Sequence, residues 1–168
     1  MSKKIRLAGI AYESLVNGPG MRRVYFSQGC RHNCEGCFNP DTHDFNGGFL
    51  ADTEDLKVEI SKLKLVDGIT LSGGDPMFQV EASLDIAKFC HSIDLNVWCY
   101  TGYTFEDVLE KMKKDNNIKD LIENIDVLVD GRFEKDKKVD GLKFKGSSNQ
   151  RLIDVKKSLK SNCIIVLE

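Results

Sequence analysis

Four short apolar runs, each stopped by a turn-forming loop and separated by helix-patterned stretches, constrain this chain more than any other feature. Arg22-Arg23-Val24-Tyr25-Phe26, expected as the first strand, leads into a loop containing three cysteines. Gly68-Ile69-Thr70-Leu71-Ser72 stops at Gly73-Gly74-Asp75-Pro76, Asn96-Val97-Trp98-Cys99-Tyr100 at Thr101-Gly102, and Asp126-Val127-Leu128-Val129 at Asp130-Gly131. Runs this short, bounded by Gly, Pro and Asp, read as strands. Between them, Leu56, Ile60, Leu63 and Lys64 (in 53–65) and Leu84, Ala87 and Lys88 (in 80–92) recur at helical spacing, with Thr53 the expected cap of the first helix. Thr104 caps a further helix to about Lys113, and a short helix covers Ile118 to Asn124. Arg151–Asp154 and Cys163–Leu167 are later strand candidates, and the polar, Lys- and Gly-rich stretch from Lys135 to Ser148 is expected as a long surface loop.

Strands alternating with helices predict βαβ units and an α/β fold with mostly parallel strands. A complete eight-stranded βα barrel takes roughly 250 residues, and this chain has 168. No repeat or linker divides it. The expectation is therefore one domain over 1–168 built as an open, partial (β/α) TIM-like barrel.

With 41% apolar and 30% charged residues the composition is that of a soluble globular chain. No apolar run spans a bilayer, and the N-terminus lacks the pattern of a signal peptide, so the expected compartment is cytoplasmic with no membrane partner. A net charge of −2 argues against a nucleic-acid partner. The charge is uneven, with ten Lys or Arg against four Asp or Glu from Arg132 to Lys160. That stretch reads as a solvated face or as a docking surface for an acidic partner.

Cys30, Cys34 and Cys37 fall within eight residues, and the remaining cysteines, Cys90, Cys99 and Cys163, are far away in sequence. Without a secretion signal, three crowded thiols read as metal ligands and not as a disulfide framework. A closed zinc site or a four-cysteine cluster needs a fourth ligand. Three cysteines on a 4Fe–4S cluster leave one iron open to a small molecule. A zinc site completed by His32 or His43 is the alternative, although His32 is expected to face solvent. Cys90, Cys99 and Cys163 read as small buried hydrophobes. The cysteine loop, Gly73-Gly74, Tyr100-Thr101-Gly102 and Asp130-Gly131 all follow the carboxyl ends of strands, the edge where α/β folds build sites, so these loops are expected to converge.

Cys30-x-x-x-Cys34-x-x-Cys37 followed by the aromatic Phe38 resembles the signature of radical S-adenosylmethionine (SAM) enzymes. Gly73-Gly74-Asp75-Pro76 is similar to their second motif, usually Gly-Gly-Glu-Pro. The resemblance implies a radical SAM barrel in which Cys30, Cys34 and Cys37 hold a 4Fe–4S cluster whose open iron chelates SAM. It also implies reductive cleavage of SAM to a 5′-deoxyadenosyl radical. Gly36, Cys37, Phe38, Gly73, Gly74 and Asp75 are then expected around SAM. Asp75 would place a negative charge near its ammonium or brace the turn, and core packing is the alternative for Phe38. No protein acid or base is required in the central step.

Val16-Asn17-Gly18-Pro19-Gly20, Trp98-Cys99-Tyr100-Thr101-Gly102-Tyr103, Asp126 to Phe133, and Gly146-Ser147-Ser148-Asn149-Gln150-Arg151 resemble one group within that superfamily. It is the glycyl-radical-enzyme activases of anaerobic ribonucleoside-triphosphate reductase. The likeness runs from about Ile10 to Asp154 and leaves 155–168 as a candidate C-terminal extension. It implies a protein substrate, the reductase, and an external one-electron donor such as flavodoxin or ferredoxin. A short open barrel suits this, because a macromolecular substrate can plug the mouth with its own glycine loop. Asp130, Arg132, Ser147, Ser148 and Asn149 are expected to touch ligand or partner, or to stabilise their turns. The rival readings are an activase of another glycyl-radical enzyme such as pyruvate formate-lyase, a small-molecule radical enzyme, and a non-catalytic zinc-binding module.

Overall fold

The structure is a computed structural model that describes residues 3–167. Seven strands form one open sheet in the order β3-β1-β2-β4-β5-β6-β7. They are β1 (Lys4–Ser14), β2 (Arg22–Ser27), β3 (Phe49–Asp52), β4 (Gly68–Gly73), β5 (Asn96–Tyr100), β6 (Val127–Asp130) and β7 (Arg151–Asp154). The central strands β2, β4, β5 and β6 pair in parallel, and β3 runs the same way, while β1 and β7 are antiparallel to their neighbours. Five helices complete the fold: α1 (Thr53–Ser61), α2 (Val80–Ser92), α3 (Phe105–Lys114), α4 (Asn116–Glu123) and α5 (Val155–Ser161).

The helices start where short polar side chains can cap them. Asp52, Thr104, Asp115 and Asp154 each accept from a first-turn amide. The cap of α1 is thus Asp52 and not the expected Thr53, whose hydroxyl instead donates to Asp85. All five helices contribute to one apolar cluster with the alternate residues Ile69, Leu71, Val97, Cys99, Leu128 and Ile153 of the strands. The intervening residues Trp98, Val127, Val129 and Leu152 form a second, smaller cluster with no helix residue in it. The sheet therefore has one helix-covered face and one that the loops must cover.

Four elements depart from the sequence reading. The run at Arg22 is the second strand, because β1 precedes it. Two register shifts in the β1–β2 pairing break the alternation that would have revealed β1. β3 was not expected either, being four residues long with Phe49 and Leu50 exposed. At the C-terminus α5 follows β7, and the expected strand at 163–167 is reduced to one bridge between Ile153 and Val166. α1 also stops at Ser61, short of Leu65. No helix among the described residues is long and apolar enough to cross a membrane.

Candidate active site

The cysteine loop leaves β2 and returns to β3, and its base is closed by main-chain bonds. Gly29 N donates to Thr42 O (2.6 Å) and Cys30 N to His43 O (3.3 Å). The Gln28 amide reaches back to Asp41 O (2.9 Å) and Asp44 O (2.6 Å). Within the loop Cys37 N donates to Cys34 O, a tight turn that brings those two residues together.

Beside it, the turn after β4 presses against the loop's base. A Cβ on Gly74 would lie 2.4 Å from Gly29 O and 2.8 Å from Thr42 O, so only glycine permits this approach. The result is a cavity of about 940 Å³ walled by Cys30, Cys34, Cys37, Phe38, Gly73 and Gly74. Its volume suits a ligand of nucleoside size or somewhat larger.

The four strand-end loops converge as the sequence predicts, since Tyr100-Thr101-Gly102 and Gly131-Arg132 line the same cavity. Phe38 is 58% exposed at its edge, against the core alternative. Its ring lies 4.7 Å from Phe133, with the Lys138 ammonium 5.3 Å away. Gly36 is exposed beside the Lys135 and Phe133 side chains and does not line the cavity. Asp75 is fully buried beneath the floor, also outside the lining, and holds its own turn by accepting from Met77 N at 2.8 Å. Of its two expected roles, the hydrogen bonds match the bracing one. His32 is not solvent-facing: only 4% of its side chain is exposed, and Nε2 lies 2.6 Å from Asp75 Oδ2.

Burial pushes the Cys30 thiol up to about 11, with Asp75, Cys34 and Cys37 adding in the same direction and a backbone bond at His32 opposing. Burial also raises Cys34. These thiols keep their protons until a metal replaces them. Among the described residues no three His, Cys, Asp or Glu side chains are arranged to hold a single metal ion. A cluster makes a different demand, because it spreads its thiolates over separate irons. Three thiols around one cavity, beside bare glycine backbone, fit that group. Cys90 and Cys99 are buried in the apolar cluster, where burial lifts Cys90 to about 12 and raises Cys99 strongly, whereas Cys163 is exposed.

Asp130 is buried, accepts from Phe105 N (2.8 Å) and pairs with Arg151, so it stabilises its turn. Arg132 reaches the cavity. Ser147, also buried, accepts from Glu134 N (3.1 Å), while Asn149 and Gln150 donate to Arg132 O and Gly131 O. The Gly146–Arg151 segment thereby fixes the 131–134 turn at the cavity wall.

What sequence reasoning missed is the strap from Lys138 to Gly146, which folds over the helix-free face and lines the cavity. The Tyr100 hydroxyl donates to Phe144 O (2.5 Å), and the Phe144 ring meets Trp98 edge-on at 5.3 Å. One aromatic in a polar loop, Phe144, was the available signal.

A family model described as a 4Fe-4S single cluster domain matches residues 16–153. Proteins named anaerobic ribonucleoside-triphosphate reductase-activating protein are similar over most of the chain. That of Enterobacteria phage T4 is 35% identical over 144 residues, covering 82% of this chain and 86% of its own. The Vibrio cholerae protein is 34% identical over 150 residues (81% and 89%), and that of Escherichia coli K12 35% over 145 (81% and 90%). With three thiols at one cavity and this likeness along its length, the chain belongs to the anaerobic ribonucleoside-triphosphate reductase-activating protein family.

Proposed function

We propose that this protein activates an anaerobic ribonucleoside-triphosphate reductase by generating a glycyl radical on it. In this reading the open sheet is a partial (β/α) barrel of the radical SAM type, forming one domain over residues 1–168. Cys30, Cys34 and Cys37 hold a 4Fe–4S cluster, and the cavity takes SAM. The observation that carries the reading is that all three thiols line one cavity with the bare backbone of Gly73 and Gly74.

Held by Cys30, Cys34 and Cys37, the cluster would supply the one-electron chemistry that cleaves SAM reductively and lets a hydrogen atom be taken from a glycine of the reductase. The electron enters from an external donor of the flavodoxin or ferredoxin kind. The protein's residues position and shield. Gly73 and Gly74 line the cavity with main chain, which can offer carbonyls to an ammonium, while their missing Cβ atoms let the turn pack on Phe26, Ser27 and Gly29. Phe38 presents an aromatic face at the cavity edge, and Cys37 next to it ties that face to the cluster loop. Trp98 meets Phe144 edge-on where the strap packs on the helix-free face, while Leu15, Val16 and Val139 leave exposed apolar surface at the mouth for the partner to cover.

Anaerobic electron paramagnetic resonance on the reconstituted, reduced protein with SAM and the reductase tests this. The expected result is a reduced-cluster signal that gives way to a doublet organic radical on the reductase. A cluster signal with no such radical would move the substrate elsewhere. Bound zinc with no iron or sulfide would overturn the reading.

A further inference from the structure

The Asp75 carboxylate sits close to the cavity yet meets four donors inside the protein. Oδ1 accepts from Met77 N (2.8 Å). Oδ2 faces His32 Nε2 (2.6 Å), the Thr101 hydroxyl (2.9 Å) and Gly102 N (2.9 Å). Oδ1 keeps one accepting position, but the side chain is fully buried and does not line the cavity, so that position does not face a ligand there. The donors come from three loops: the Asp75 turn after β4, the cysteine loop after β2 and the turn after β5.

The cysteine loop needs such a tie. From Arg31 to Gly36 no backbone N–H donates to a main-chain carbonyl among the described residues. His32 lies midway between Cys30 and Cys34 in the sequence. Its ring is held by Tyr103 edge-on (4.7 Å) and Phe78 (5.4 Å). The fit against the β5 turn is close, since a Cβ on Gly102 would lie 2.4 Å from the His32 ring. A carboxylate only accepts, so Nε2 carries the proton of this bond.

We propose that His32 and Asp75 are positioning residues for the cluster, and that Asp75 makes no contact with the SAM ammonium. They pin the segment carrying Cys30 and Cys34 to the ends of β4 and β5, which fixes the thiols relative to the glycine wall. The inference rests on the cluster assignment above. It gives the acidic residue of the Gly-Gly-Asp-Pro turn a role toward the metal in place of one toward the ligand.

The test compares Asp75→Asn, His32→Ala, their double variant and His32→Gln, each reconstituted anaerobically. Iron release to a chelator and SAM binding to the cluster-loaded protein are the two readouts. Asp75→Asn and His32→Ala are each expected to release iron at least about tenfold faster, the scale of lost outer-shell partners at metal sites. The double variant should be no faster than the worse single one, because His32 ties the loop through Asp75. His32→Gln should recover most of the protection, since its amide can donate to the same oxygen. SAM affinity of the cluster-loaded Asp75→Asn protein should fall no further than that of His32→Ala, since both act through the placement of the thiols.

Parent iron-release rates in both single variants would overturn the proposal, as would markedly weaker SAM binding by cluster-loaded Asp75→Asn than by cluster-loaded His32→Ala. Should Asp75→Asn fail to fold by circular dichroism, Thr101→Val, which deletes one donor to the same oxygen, takes its place with the same expectation. A parent protein that shows no 4Fe–4S signal would instead defeat the cluster assignment, separating that failure from this one.

Discussion

The two faces of the sheet are built from alternate residues of the same strands, yet they are held by different forces. On the helix side, Ile69, Leu71, Val97, Leu128 and Ile153 meet helix residues such as Ile86, Leu121 and Ile122 in one continuous apolar cluster. On the other side the same strands present Thr70, Ser72, Trp98 and Tyr100, and only four buried apolar residues cluster there. Loops cover that face through hydrogen bonds and single aromatic contacts. The helix face is stabilised by area removed from water, whereas the cavity face depends on particular donors meeting particular acceptors. The comparison teaches that stability and chemistry lie on opposite sides of one sheet.

The largest expected effects contrast the faces directly. Leu128→Ala should destabilise the metal-free chain by about 3 kcal/mol, as large-to-small changes in packed cores do. Cys34→Ala should leave the metal-free stability near the parent value while abolishing iron–sulfide loading and SAM cleavage. Chemical denaturation and iron and sulfide analysis of both variants check this. Equal destabilisation by the two would break the contrast.

Arg22 sharpens it. The guanidinium is buried on the cavity side and donates to Thr70 Oγ1 (2.8 Å), Ile69 O (3.0 Å), Pro19 O (3.2 Å) and Asn96 Oδ1 (2.8 Å). It ties β2, β4, β5 and the 15–20 loop together, 5.6 Å from the Trp98 ring. Arg22→Met strands those acceptors and should cost about 2–3 kcal/mol. Arg22→Lys should not rescue it, because an ammonium cannot spread its donors across a planar fork. Trp98, the chain's one tryptophan, reports the loosening by fluorescence. An unchanged spectrum and midpoint in Arg22→Met would show that this face is held by something else.

A smaller, pH-dependent effect belongs to the helix side. Burial acts against the Asp126 carboxylate, but a bond from Val97 N and contacts with His91 and Lys156 outweigh it and hold its pKa below 3.8. A depressed folded-state value stabilises above the unfolded value and is lost as pH falls through the folded one. Asp126→Asn should therefore destabilise by about 1–2 kcal/mol at neutral pH, and the gap should close in acid below the ordinary carboxylate range. A gap that persists there, seen in denaturation midpoints against pH, would assign the loss to packing.

The same division decides what the sequence discloses. β4, β5, β6 and α2 were legible because their apolar spacing is local and the helix face demands it. So was the meeting of the three thiols and the two glycines at one cavity, since the loops that carry them follow neighbouring strand ends. The Asp75–His32 bond joins positions 43 apart, the Arg22 bonds to Asn96 positions 74 apart, and Tyr100 reaches Phe144 across 44. No local pattern encodes such partners. β1 escaped for another reason: its bulges break the alternation that the helix face otherwise imposes.

The strap gives the smallest expected effect and the one that joins the two halves of the comparison. Lys138 and Lys143 line the cavity with no ion pair among the described residues, and Asp140 is the acidic group beside them. The strap's anchors, Phe144 O on Tyr100 and Lys145 Nζ on Gln150 O, lie elsewhere. Lys138→Glu with Lys143→Glu should therefore leave folding and cluster loading unchanged. If the mouth receives an acidic segment of the reductase, the pair should slow association by on the order of tenfold at low salt, with the difference shrinking as salt screens the charges. Association kinetics across a salt series read this directly. A rate unchanged by the double reversal would assign partner recognition to the apolar rim of Leu15, Val16 and Val139, and make the strap a cover for the helix-free face alone.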